Sequence, residues 1–181
     1  MRCGHVFLAI GTLAVGYVAY MRSDFHRSGN RLFYRAGRPN RVGRAVAELS
    51  SWLYGSGLLP SFLVSLETTG YRTGRRHAIP VVLADHAGER YVVSMLGERS
   101  PWVRNIRAAG GRAVIKHAGR REVRLVELPP GARAPVIKAY LGRAFDARPH
   151  FPLPPDAPIE AFERIAGSYP VFRIEPVAEG R

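Results

Sequence analysis

A chain of 181 residues with 46% hydrophobic content can bury one good core, and its length favours one domain with appendages. Its formal net charge of +13 is carried wholly by residues 1–125, while residues 126–181 balance, a distribution suited to anionic partners. Cys3 is the single cysteine, which excludes an intrachain disulfide and a cysteine metal cluster. The histidines show no H-E-x-x-H spacing, and no reader motif or aromatic stacking array accompanies the arginines, so neither metal catalysis nor nucleic-acid binding is expected.

The chain begins with an uncharged apolar run, Val6 to Met21, interrupted by Gly11, Thr12 and Gly16. A bilayer span calls for roughly 20 apolar residues, so three readings stand: a membrane helix, a cleaved secretory signal, or a buried N-terminal helix. Arg22, Arg27, Arg31 and further arginines follow the run and only Arg2 precedes it. The positive-inside rule then leaves the rest of the chain at the cytoplasmic face of the membrane, with a soluble cytoplasmic protein as the alternative. From Asp24 to Gly57, arginines at spacings of three and four interleave with Leu32, Phe33, Val42, Leu49, Trp52 and Leu53. This predicts amphipathic helices broken near Gly37-Arg38-Pro39, which either rest on anionic lipid or cover the remaining fold.

Phe62 to Leu66 and Ala78 to Leu83 have strand length and composition, and Arg90 to Leu96 reads as a returning strand beyond the turn Asp85 to Glu89. After a loop at Gly97 to Arg99, a short helix runs from Ser100 to Gly111. Ser100 is placed as its N-cap, Pro101 at the first turn, and Gly110 at the left-handed stop. Trp102, Asn105 and Ile106 share one face of that helix. Ala113 to Leu128 alternates about Ala118-Gly119 as a second hairpin. Ala132 to Phe145 is helical, Arg148 to Pro158 is a proline-rich loop bordering the substrate pocket, and Ile159 to Ala166 is a short helix before the last strand. The domains expected are an anchor-like helix at 1–22, a basic helical lead-in at 23–57, a barrel at 58–176 and a tail at 177–181.

Chemistry concentrates between the first two strands. Gly70 and Gly74 permit a tight connection with positive φ, and Arg72, Arg75 and Arg76 supply planar donors that grip phosphate or carboxylate through two bonds at once. Residue types alone leave two readings of this basic lip: a solvated turn on a basic protein, or an anion clamp.

Together the ordered motifs T-T-G-x-R-T-G-x-x-x-x-x-P at Thr68 to Pro80 and P-W-V-R-N-I at Pro101 to Ile106 resemble the deazaflavin-dependent nitroreductase family. Tyr169 to Pro176 and the approach to it from Pro154 also agree. The resemblance implies an α+β fold, a split β-barrel of about six mainly antiparallel strands with short packing helices and an N-terminal hydrophobic helix. It implies coenzyme F-420, an 8-hydroxy-5-deazaflavin with an anionic phospholactyl-oligoglutamate tail, as cofactor in preference to FMN. The cofactor-binding positions it implies are Tyr71, Arg72, Thr73, Arg75, Arg76, His77, Pro80, Trp102 and Asn105. No clear counterpart of the family's C-terminal tyrosine cluster is present; Ser94, Tyr140 and Tyr169 are the hydroxyl candidates, with Ser94 and Tyr140 taken as catalytic. The implied function is an oxidoreductase passing hydride from reduced coenzyme F-420 to a quinone, nitro compound or similar electrophile. A non-catalytic split barrel binding flavin, haem or lipid is the alternative.

Overall fold

The computed structural model describes residues 34–35, 38–39 and 41–177, with side chains described from residue 48 onward. The apolar run Val6 to Met21 and the start of the lead-in lie outside the described residues. Where the sequence predicted a helix break, two short strands, β1 (Tyr34–Arg35) and β2 (Arg38–Pro39), pair antiparallel. Helix α1 (Arg41–Gly55) follows. Among the described residues, no helix is long and apolar enough to cross a membrane.

Six strands close into an antiparallel barrel in the order β3-β4-β5-β8-β7-β6. They are β3 (Leu63–Thr69), β4 (Arg76–His86), β5 (Glu89–Val93), β6 (Arg112–Lys116), β7 (Arg120–Glu127) and β8 (Val171–Pro176). Period-two alternation explains why both faces of the central strands are apolar. Leu66, Leu83, Val92, Ile115, Val123 and Phe172 point inward and fill the barrel. Val82, Ala84, Tyr91 and Val93 point outward, where α3 (Ala134–Arg143) covers them with Ile137, Tyr140 and Leu141; α4 (Ile159–Ile165) packs on α3 and adds Phe162 to the same cluster.

Helix α2 (Pro101–Ala108) packs into the barrel core. Its Trp102, Val103 and Ile106 are buried, and the Trp102 ring meets Phe172 at 5.4 Å between centroids. Gly110, with φ of 62°, stops the helix as expected. Ser100 stands at the N-cap position, but its hydroxyl makes no capping bond; it lies 2.7 Å from Ser94 Oγ instead. That competing partner explains the difference. The returning strand ends at Val93 rather than Leu96, because the chain turns to bring Ser94 against Gly97, and Gly97–Arg99 is a 3-10 turn rather than a loop. The predicted helix from Ala132 narrows to Ala134–Arg143, and the proline-rich loop begins inside a 3-10 turn at Phe145–His150.

One ionic network joins the α2 end to β7 and α3. The Arg107 guanidinium donates to Glu98 and to Glu127, and the buried Arg133 donates to Glu127 Oε1 at 2.9 Å and to the Leu128 carbonyl at 2.8 Å. Its bond to Arg107 holds the Glu98 carboxyl below its ordinary range. The Glu98 contribution is therefore complete above the ordinary carboxylate pKa of about 4.3 and is lost as pH falls through the lowered value. Glu127→Ala strips Arg133 of its counter-ion, and urea unfolding at neutral pH is expected to show a loss of about 3 kcal/mol. A loss below about 1 kcal/mol would mean that the Leu128 and Tyr169 carbonyls satisfy Arg133 by themselves.

Candidate functional site

The turn between β3 and β4 is built by its glycines in two different ways. Gly74 has φ of 66°, so the left-handed step predicted there is present, but Gly70 is not in that region. Gly70 serves close approach: a Cβ there would lie 2.8 Å from Thr73 Oγ1 and 3.1 Å from His77 Nε2. Its N–H donates to the Arg75 carbonyl at 2.8 Å, and its carbonyl accepts from Gly74 N–H at 2.8 Å. The lip is thus a closed turn whose residues Tyr71 to Ala78 are all exposed.

Asn105 ties this turn to the barrel. It is only 6% exposed, accepts the Tyr71 N–H at its Oδ1 over 3.2 Å, and donates from Nδ2 to Thr68 Oγ1 over 3.1 Å. Both ends of the amide are used, one for β3 and one for the lip. Thr68, absent from the sequence-predicted set, completes the strap. Its signal was the doubled threonine where a strand should turn polar.

The lip arginines differ in their partners. Among the described residues no carboxylate pairs with Arg72 or Arg75, and the Arg72 guanidinium lies 5.3 Å from the centre of the Tyr71 ring. Arg76 stands 3.7 Å from Glu67, which also accepts Lys116 at 2.6 Å. The Lys116 bond, aided by Arg76 and Arg120 and opposed by burial, holds the Glu67 carboxyl below its ordinary range. In register, Thr69 faces Arg76 and Thr68 faces His77. Alternation therefore turns Arg76 to the outer wall with Glu67, and His77 to the side of Thr68. Pro80 is half-buried opposite Ser65, whose hydroxyl meets Ser51 of α1 at 2.6 Å, so it shares the outer wall with Arg76.

Trp102 is 9% exposed and belongs to the barrel core, while Asn105 reaches the lip directly. The hydroxyl candidates are internal. Ser94 is 1% exposed and sits 2.8 Å from the Gly97 carbonyl. Tyr140 is 4% exposed on α3, where its ring lies 6.2 Å from that of Phe151 in the cluster between helix and barrel. Burial first, then the Asp146 charge, pushes the Tyr140 hydroxyl well above its ordinary range and keeps it protonated. Tyr169 donates to the His150 carbonyl at 2.9 Å and stacks on Phe151.

Residues 48–135, which contain the hairpin, the lip and α2, match the model of the F-420H(2)-dependent quinone reductase family. Over that span the chain is similar to this family. No curated protein matches it. Among solved structures it is similar to a chain described as a domain-swapped dimer (16% identity, 74% of this chain and 99% of that one, TM-score 0.47). It is also similar to an F-420-H2-dependent reductase, FDR-A (21% identity, 63% of this chain and 94% of that one, TM-score 0.40). A third is HutZ, the haem storage protein of Vibrio cholerae (13% identity, 65% of this chain and 83% of that one, TM-score 0.44).

The family's cofactor chemistry fits the donor set at the lip, since Arg72 and Arg75, without a carboxylate partner among the described residues, are guanidinium groups of the kind that pairs with an anionic tail. The strap predicts a specific consequence. Asn105→Ala should release the Tyr71 amide, raising its hydrogen-exchange rate at least tenfold, and cost about 1 to 3 kcal/mol through the unpaired Thr68. Unchanged Tyr71 exchange would show that the turn holds itself.

Proposed function

We propose that the protein is a deazaflavin-dependent oxidoreductase in which the lip holds the anionic tail of coenzyme F-420 and a quinone or similar electrophile is reduced. The observation that carries this reading is the pair of arginines without carboxylate partners among the described residues, on a turn held by Asn105, inside the segment that matches the family. When bound in its reduced form, the cofactor supplies a hydride.

The chain's own residues supply binding and position. Arg72 and Arg75 would grip the tail, with Tyr71, Thr73 and His77 beside them as further polar contacts. Arg76 would add a third cation from the outer side, its charge already shared with Glu67. Asn105 fixes where the lip stands, and Trp102 fixes α2 through its packing on Phe172. Pro80 stiffens the strand that leads away from the lip. Ser94 and Tyr140 contribute to this reading by holding the α2 start and the helical layer. The apolar run Val6 to Met21 adds, from sequence alone, a placement at the cytoplasmic face of the membrane that would bring the lip close to lipid-dissolved quinone.

Titration of the full chain with oxidised coenzyme F-420, followed by ring fluorescence, is expected to show saturable binding that Arg72→Ala with Arg75→Ala weakens ten- to hundredfold. Equal affinity in the double variant removes the clamp. Binding of haem or FMN with no response to the deazaflavin would replace the enzyme reading with that of a carrier.

A further inference from the structure

Beside the lip, the outer wall of β3, β6 and β7 forms an open cleft of about 540 Å³ lined by Arg76, Arg112, Arg120, Arg124, Glu67 and Glu122. Both carboxylates are taken. Glu67 is bonded to Lys116 and paired with Arg76, and Glu122 is paired with Arg120 at 3.1 Å. Arg112 and Arg124 have no carboxylate partner among the described residues, yet they stand directly opposite each other on β6 and β7. Like charges directly opposite destabilise a strand pair. Across β8, Arg124 faces Glu175, but that carboxylate bonds Arg173 of its own strand.

The backbone brings the pair together by a close approach. Gly111 has φ of 89°, and a Cβ there would lie 2.7 Å from the Leu125 carbonyl and 3.3 Å from Arg124 Cγ. Glycine lets β6 begin tight against Arg124. Two arginines thereby leave facing positions of β6 and β7 to line one cleft large enough for a small molecule, together with Arg76 at the base of the lip.

We propose that this cleft is a second anion subsite, in which Arg112 and Arg124 grip the carboxylates or phosphates of a polyanion and Arg76 connects it with the lip. The anion has two sources: the distal glutamates of the cofactor's tail, which rests on the proposed function above, or a free polyanion, which does not.

Inorganic tripolyphosphate and free tetraglutamate serve as probes by calorimetry at low salt, with coenzyme F-420 of short and long tail as the second arm. Arg112→Gln with Arg124→Gln removes a like-charge pair on an exposed face, so its Tm is expected to equal or exceed that of the unchanged protein. Tripolyphosphate affinity is expected to fall tenfold or more in this variant and to survive Arg72→Ala with Arg75→Ala. If the tail is the source, long-tail cofactor weakens in the cleft variant and short-tail cofactor does not; if a free polyanion is the source, both cofactors bind unchanged while tripolyphosphate is lost. Equal tripolyphosphate affinity with and without the two arginines overturns the subsite. So does an equal loss from Arg99→Gln with Arg164→Gln, which would reduce the effect to overall charge. Tripolyphosphate binding by a protein that takes no deazaflavin would leave the subsite standing and remove the cofactor reading.

Discussion

The Asn105 side chain joins the parts of this molecule that carry chemistry to the parts that only pack. Its carboxamide is buried, so both of its polar ends must be paired, and it pairs one with β3 through Thr68 and the other with the lip through the Tyr71 amide. The position of that carboxamide follows from its neighbours on α2. Trp102, Val103 and Ile106 pack into the barrel core, and the Arg107 network fastens the far end of the helix to Glu98 and Glu127. A turn of exposed arginines would otherwise have only its own internal bonds to hold it against the repulsion of its charges.

Period-two geometry then decides which cations act together. Consecutive residues in β4 leave on opposite faces, so Arg76 and His77, adjacent in sequence, serve different walls. The string of four basic positions in the lip resolves into a solvent-facing pair, Arg72 and Arg75, and an outer-wall cation, Arg76, coupled to Glu67. The same rule places Arg112, Val114 and Lys116 on the outer wall and Ala113 and Ile115 inside. Charge at the outer wall and apolar bulk inside are two consequences of one alternation.

The barrel strands and the short helices were legible in the sequence because alternation, Pro101 and Gly110 act locally. So was the basic lip. What escaped was set by contacts remote in sequence. Ser100 looks like a cap until Ser94 takes its hydroxyl, and Gly70 looks like a left-handed turn residue until Thr73 and His77 close over it. Strand alternation alone separates Arg76 from His77, but only the observed register shows that Glu67 and Lys116 receive the first. The pairing of Arg112 with Arg124 needed the hairpin register in the same way.

Packing also constrains where a ligand can sit. A six-stranded barrel has an interior filled by its own side chains, and here Leu66, Val92, Val103, Ile106 and Phe172 are all at most 1% exposed. A tricyclic ring placed inside would have to displace several of them, at a cost of about 2 to 5 kcal/mol for each large side chain left unpacked. Any ring bound by this domain must therefore lie against the outside of the wall. The lip and the arginine cleft bring cations to that outer surface. An anionic tail gripped there would keep its attached ring outside the barrel, where a second substrate can reach it from solvent or lipid.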